Sequence, residues 1–291
     1  MLALPDAPEL IERRYTPPPL PLSARRVGQA VPLTKVQTDI ACALDRARLS
    51  QRVGIAPDSW QADLLRSEAQ QILLNCGRQV GKSTTTAVLG AWTAIYCPGE
   101  PILLLSPTLR QSGLLFSKVK WVLKRLGTDF AEPETDNVLS VRLSNGSEIF
   151  SLPGKPDTVR GFSGVRLAVV DEAAFITDGL MPAISPMLAV SGGRLIMLST
   201  PFGKRGFFYE EWENGGDAWR RFKVKSTECP RIPAAYLAEE RRKLGIFFDQ
   251  EFNCEFLDST NALFYSADID AMLSPDVAPL FPISLLTAST V

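Results

Sequence analysis

Residues Cys76 to Thr84, CGRQVGKST, decide how the rest of this 291-residue chain is read. The Gly81-Lys82-Ser83 within it is the core of a phosphate-binding loop. Successive backbone N–H groups converge on phosphate oxygens, the lysine reaches the β- and γ-phosphates, and the serine hydroxyl sits on Mg²⁺. The standard pattern has a glycine five residues before Gly81. That position is Cys76, and Gly77 one place later supplies the backbone freedom instead. A Gly-Lys-Ser tripeptide is weak alone, an ordinary turn being the alternative, so its flanks carry the argument. Gln71 to Asn75 (QILLN) is a short apolar run of buried-strand type, and Ser83 to Tyr96 is an apolar segment of helix length. Strand, glycine loop and helix is the order a phosphate site requires, with the positive end of the helix dipole on the anion. The expected nucleotide contacts are Gly77, Arg78, Gln79, Gly81, Lys82, Ser83 and Thr84.

Around this unit the chain alternates apolar runs with helical segments. The runs are PILLLSP (101–107), SEIFSLP (147–153), RLAVVDE (166–172), GRLIMLSTP (193–201) and RRFKVKS (220–226). Such spacing predicts an α/β fold of the P-loop NTPase kind (RecA/ASCE-like), a mainly parallel sheet flanked by helices. Asn145-Gly146, between VRLS and SEIFSLP, reads as a hairpin turn, and Thr34 to Arg52 as helical. Residues 1–35 form a Pro-rich arm, 36–258 the ATPase domain, and 259–291 a linker or truncated tail.

Composition narrows the chemistry. There is no histidine, which excludes His-based triads and His–metal sites; carboxylate, lysine and hydroxyl groups remain. The five cysteines are scattered without a CxxC pair, so neither a zinc site nor a disulfide framework is expected, and the reducing cytoplasm is the expected home. No membrane segment or secretory leader is read. A net charge of −1 gives no global attraction to nucleic acid, so any DNA contact must come from local basic clusters. The candidates are Lys118, Lys120, Lys124 and Arg125 on one predicted helix, and Lys204 with Arg205, ordinary solvated charge being the alternative for both.

Three further features supply candidate site residues. Leu167 to Glu172, LAVVDE, is an apolar strand ending in two acids, where Asp171 is expected to hold the metal and Glu172 to orient and activate the attacking water. Ser199-Thr200-Pro201 ends another strand, and Thr200 is placed to sense the γ-phosphate, unless the triplet is a simple turn. Gln61, in Asp58-Ser59-Trp60-Gln61, offers an amide that can read an adenine edge, or lies on a solvated helix face.

Taken in order, Trp60-Gln61, the GRQVGKST loop, TVRGFSG (158–164), VVDEAAF (169–175) and LSTPFGKRGFFYEEW (198–212) resemble the ATPase portion of phage terminase large subunits, the DNA-packaging motors. The likeness spans roughly residues 35 to 260 and includes QEFNCEFLD (250–258). It implies ATP and Mg²⁺ as cofactors and double-stranded DNA as partner. It also implies a homo-oligomeric ring, with a terminase small subunit and a portal as further partners in the bacterial host cytoplasm. Lys82 and Ser83 then hold phosphate and metal, Asp171 and Glu172 hydrolyse ATP, and Thr200 couples hydrolysis to movement. Arg160, in TVRGFSG, is a candidate to stabilise transition-state charge, in cis or across a ring interface, or else to hold its own loop. Family members generally continue into an RNase H-like nuclease domain; residues 259–291 are too few for one, Asp268 and Asp270 read as a solvated helix start, and no nuclease activity is expected of this chain. A helicase-like ATPase, or a degenerate fragment that binds ATP without turnover, are the alternative readings.

Overall fold

Neighbouring residues on the central strands point to opposite faces, and both faces are apolar, so the sheet carries a core on each side. The computed structural model describes residues 34–127 and 132–258, with 268, 271 and 272. The Pro-rich arm, Asp270 and most of the tail lie outside the described residues. The strands are β1 (Gln71–Cys76), β2 (Pro101–Ser106), β3 (Pro133–Asp136), β4 (Ser140–Leu143), β5 (Glu148–Pro153), β6 (Leu167–Asp171), β7 (Arg194–Ser199) and β8 (Trp219–Val224). They form one sheet in the order β3-β4-β5-β2-β6-β7-β1-β8. From β5 to β8 every pairing is parallel, while β3, β4 and β5 make an antiparallel edge.

Ile72, Leu74, Ile102, Leu104, Val169 and Ile196 face one core, and Leu73, Leu103, Leu105, Ala168, Val170 and Met197 face the other. The first core is closed by the helix after the glycine loop, Lys82–Tyr96, and by Leu109–Leu126. The second is closed by Leu180–Ala189 and Gly206–Asn214. This fold is an α/β P-loop NTPase, as the spacing of apolar runs predicts.

Two local readings change. Thr34 to Arg52 is two helices, Lys35–Leu44 and Arg46–Arg52. Asp45 adopts an extended backbone between them, and its carboxylate accepts from the N–H of Ala47 at 3.0 Å and from Arg66, so a side chain caps the second helix where a continuous helix was expected. Strand β3 was absent from the sequence reading because PETD has no apolar residue and all four positions are exposed; its proline sits at the first position of an edge strand, where no ladder N–H is needed. The Asn145-Gly146 turn does join β4 to β5, with Gly146 at φ 85°.

Candidate functional site

Because six strands run parallel, their carboxyl ends lie along one edge, which is where such sheets place ligands. Strand β1 delivers the glycine loop there, β6 delivers Asp171 and Glu172, and β7 delivers Ser199 and Thr200. The loop turns into the helix Lys82–Tyr96 at Gly81, whose φ of 97° lies in the left-handed region that favours glycine. Gly77 has a different reason to be glycine. A Cβ there would stand 2.4 Å from Ser226 Oγ and 2.7 Å from the Phe252 carbonyl, so close packing of the loop onto neighbouring chain demands its absence.

The predicted catalytic groups meet at the mouth of the loop. Lys82 Nζ lies 3.0 Å from Glu172 Oε1, and Ser83 Oγ donates to Asp171 Oδ2 at 3.3 Å. Glu172 follows the strand with φ at 54°, an uncommon backbone for a side-chain-bearing residue, and its N–H donates to Asp171 Oδ1 at 3.0 Å. Asp171 is buried, which raises its carboxyl above the usual range; Lys82 pulls it down, Glu172 pushes it up and Lys118 pulls it down again. A buried carboxylate beside a hydroxyl is the oxygen donor pair that Mg²⁺ takes together with phosphates and water. Among the described residues no group of three or more His, Cys, Asp or Glu could hold a metal ion by itself.

Other expected residues are placed as follows. Gln61 is 6% exposed and is not on a solvated face; its Oε1 accepts from the Asp58 N–H at 2.9 Å, and its Nε2 would lie 2.8 Å from a Cβ on Gly81. Thr200 is buried, yet the hydroxyl that reaches Glu172 is that of Ser199, which donates to Oε2 at 3.5 Å while its Oγ accepts from the Ala174 N–H. Arg78 and Gln79 are exposed, with Gln79 at φ 65°, and Thr84 is half-buried in the first helical turn. Arg160 stands apart, its side chain 70% exposed and 3.6 Å from Asp157. It borders a pocket of 350 Å³ with Phe162, Pro182, Pro186 and Met187.

Among the basic candidates on the helix Leu109–Leu126, Lys118 is half-buried and within electrostatic reach of the carboxylates: burial lowers its ammonium, with Asp171 opposing and Lys82 reinforcing that shift. Lys120 turns the other way, to Asp136 at 3.0 Å, and the Arg125 guanidinium lies over the Trp121 ring at 5.4 Å.

Residues given no role in the sequence reading hold the loop from outside. Gly77 N–H donates to the Val224 carbonyl, and Arg78 N–H to the Glu251 carbonyl, both at 2.9 Å. Arg78 Nε donates to Glu251 Oε2 at 2.5 Å, and Ser226 Oγ donates to the Arg78 carbonyl at 2.6 Å. Arg231 Nη2 donates to the Val80 carbonyl at 3.0 Å.

The sequence and the fold have relatives. A model of the T4likevirus-type terminase large subunit, N-terminal, matches residues 73–270. The terminase large subunit of Thermus virus P23-45 is 26% identical over 257 residues, covering 76% of this chain and 53% of the relative. The chain thus spans about half the length of the curated relatives it matches. Among solved structures, the large terminase ATPase domain of Thermus phage P74-26 superposes with a TM-score of 0.61 at 24% identity, covering 72% of this chain and 97% of that one. The large terminase of bacteriophage D6E, in complex with ADP, gives 0.58 at 13% identity, covering 69% and 54%. The order of the motifs, the strands that carry them and a family match over most of its residues agree: this chain belongs to the phage terminase large subunits, in the N-terminal portion of the T4-like type.

Proposed function

We propose that this chain hydrolyses ATP at the glycine loop and uses the cycle to move double-stranded DNA, as the ATPase part of a packaging motor. The observation that carries the reading is the convergence of Lys82, Ser83, Asp171 and Glu172 at the carboxyl ends of β1 and β6. Lys82 exchanges its Glu172 partner for the β- and γ-phosphates when nucleotide enters. Ser83 and Asp171 would hold Mg²⁺, which would supply charge neutralisation at the phosphate oxygens. Glu172, released, orients the attacking water and accepts its proton; the Ser199 hydroxyl keeps that carboxylate in place. Gln61 is positioned beside Gly81 for the nucleotide, and Arg160, exposed, is available to a neighbouring subunit in a ring. DNA would be met by Lys124, Arg125, Lys204 and Arg205, while a small subunit and a portal are the further partners that family membership implies. Support for the nucleotide comes from the D6E relative, solved with ADP. Among the described residues no helix is long and apolar enough to cross a membrane; we place the protein in the bacterial host cytoplasm.

Steady-state hydrolysis with and without double-stranded DNA over a salt series tests the reading. The parent should be stimulated by DNA, with stimulation falling as salt rises. Lys82→Ala should lose nucleotide binding, whereas Glu172→Gln should bind and lose about 10²–10⁴-fold in rate. A parent that binds ATP without turning it over, DNA or not, would overturn the motor reading, as would a Glu172→Gln variant at the parent rate.

A further inference from the structure

Three contacts around the loop close on one arginine that lies far away in sequence. Arg231 follows β8, and its Nη1 lies 2.5 and 2.6 Å from the two oxygens of Asp58, while Nη2 holds the Val80 carbonyl at 3.0 Å. Asp58 precedes the helix Ser59–Arg66, and its backbone N–H is bound by Gln61, whose amide lies against Gly81. Val80 and Gly81 are consecutive. The apex of the loop is therefore held directly by Arg231, and Gln61, itself tied through Asp58 to the same guanidinium, lies against Gly81. The pair is part-buried, both side chains being under a third exposed. Burial works against the Arg231 charge, yet the Asp58 carboxylate holds the guanidinium above its ordinary range.

We propose that Arg231, with Asp58, is a positioning residue for nucleotide binding: it fixes the Val80 carbonyl and the Gln61 amide so that the loop N–H groups are already aimed at phosphate. This rests on the nucleotide site proposed above. The Arg231 guanidinium is not among the groups that meet at the carboxylates, so its role is to set the geometry of the bound ground state and not the chemical step. Holding a carboxylate through Nη1 and a carbonyl through Nη2 at once is a task for arginine, which presents its donors in a rigid fork; lysine supplies charge without that geometry. Binding of loop conformers competent for nucleotide falls in proportion to their population, so loosening the clamp weakens apparent affinity without touching catalysis.

The test uses the full chain, with ADP binding by titration calorimetry alongside ATP turnover. Arg231→Met and Asp58→Asn should each raise the ADP Kd and the ATP KM by about tenfold or more, with kcat within about threefold of the parent. The double variant should be no weaker than the weaker single variant, because the two side chains act through one contact. Arg231→Lys should recover part of the affinity. Asp58→Asn keeps the helix-capping shape and serves should Arg231→Met fail to fold. An unchanged ADP Kd in the folded fraction, with only the melting temperature lowered, would show a merely structural arginine and overturn the proposal; so would a fall in kcat at constant KM. A parent that binds no ADP removes the nucleotide site itself, a result distinct from either.

Discussion

Asp171 is held where a carboxylate is expensive. Burial raises its pKa more than Lys82 and Lys118 lower it, so the folded chain holds that proton better than the unfolded chain does. The stabilisation from a raised carboxyl is fully present below the unfolded value, about 3.9, and is lost as pH climbs through the folded one. At neutral pH the ionised group is then a net cost, which the proposed metal role would account for. Asp171→Asn should accordingly melt above the parent at about pH 7.5 without nucleotide, by about 2–4 °C, the size of an effect of about 1 kcal/mol in a domain of this length. The gap should shrink as the pH is lowered toward about 4. Turnover should be lost in the same variant. A melting temperature at or below the parent's at neutral pH would show that Lys82 and Lys118 already compensate the charge.

Glycines within single elements separate conformational from packing demands. At Gly77 an added methyl would press on backbone, 2.7 Å from the Phe252 carbonyl and 2.9 Å from the Ser226 nitrogen, which cannot swing aside as a flexible side chain does. Gly77→Ala should cost about 1–3 kcal/mol of stability and weaken nucleotide binding, because the loop must shift to admit it. Gly113, inside the helix Leu109–Leu126, meets nothing within 4 Å. Gly113→Ala should stabilise by about 0.5–1 kcal/mol through helix propensity alone and leave hydrolysis unchanged. Chemical denaturation of the two variants checks both signs. The same contrast explains what was legible in the sequence. Strands β1, β2, β6 and β7 announce themselves because both faces are buried and the run is continuously apolar. Strand β3 has no buried residue, so its pairing with β4 leaves no hydrophobic trace. The break at Asp45 depends on its carboxylate turning back to the N–H of Ala47, a choice that composition does not dictate.

Considered as one body, the protein brings together at the loop parts that are far apart along the chain. Lys82, Ser83, Asp171 and Glu172 were readable because each sits within a short motif. The contacts of Arg231, Ser226 and Glu251 with the loop were not, because they depend on β8 pairing with β1, and although RRFKVKS and QEFNCEFLD mark a strand and a family segment, neither reports which strand it joins. Lys118 and Lys120 differ for a related reason: their helix packs so that Lys118 comes within electrostatic reach of Asp171 while Lys120 pairs with Asp136. Arg160, exposed and away from the carboxylates, gives a prediction about assembly. Mixing Arg160→Ala subunits with Lys82→Ala subunits should restore hydrolysis above either alone if an intact site combines one subunit's loop with another's arginine. No recovery over a range of mixing ratios would assign the arginine to its own subunit or to loop structure.

The 3.0 Å contact between Lys82 and Glu172 has a consequence for the proposed cycle. It pairs the lysine assigned to phosphate with the carboxylate assigned to the proton, so on that proposal the two are latched together until a ligand draws one away. A nucleotide that takes Lys82 would have to break this pair, and the measured affinity would be what remains afterwards. Glu172→Gln, which has no charge to hold Lys82, should therefore bind ATP more tightly than the parent, the idle form having lost its safety catch.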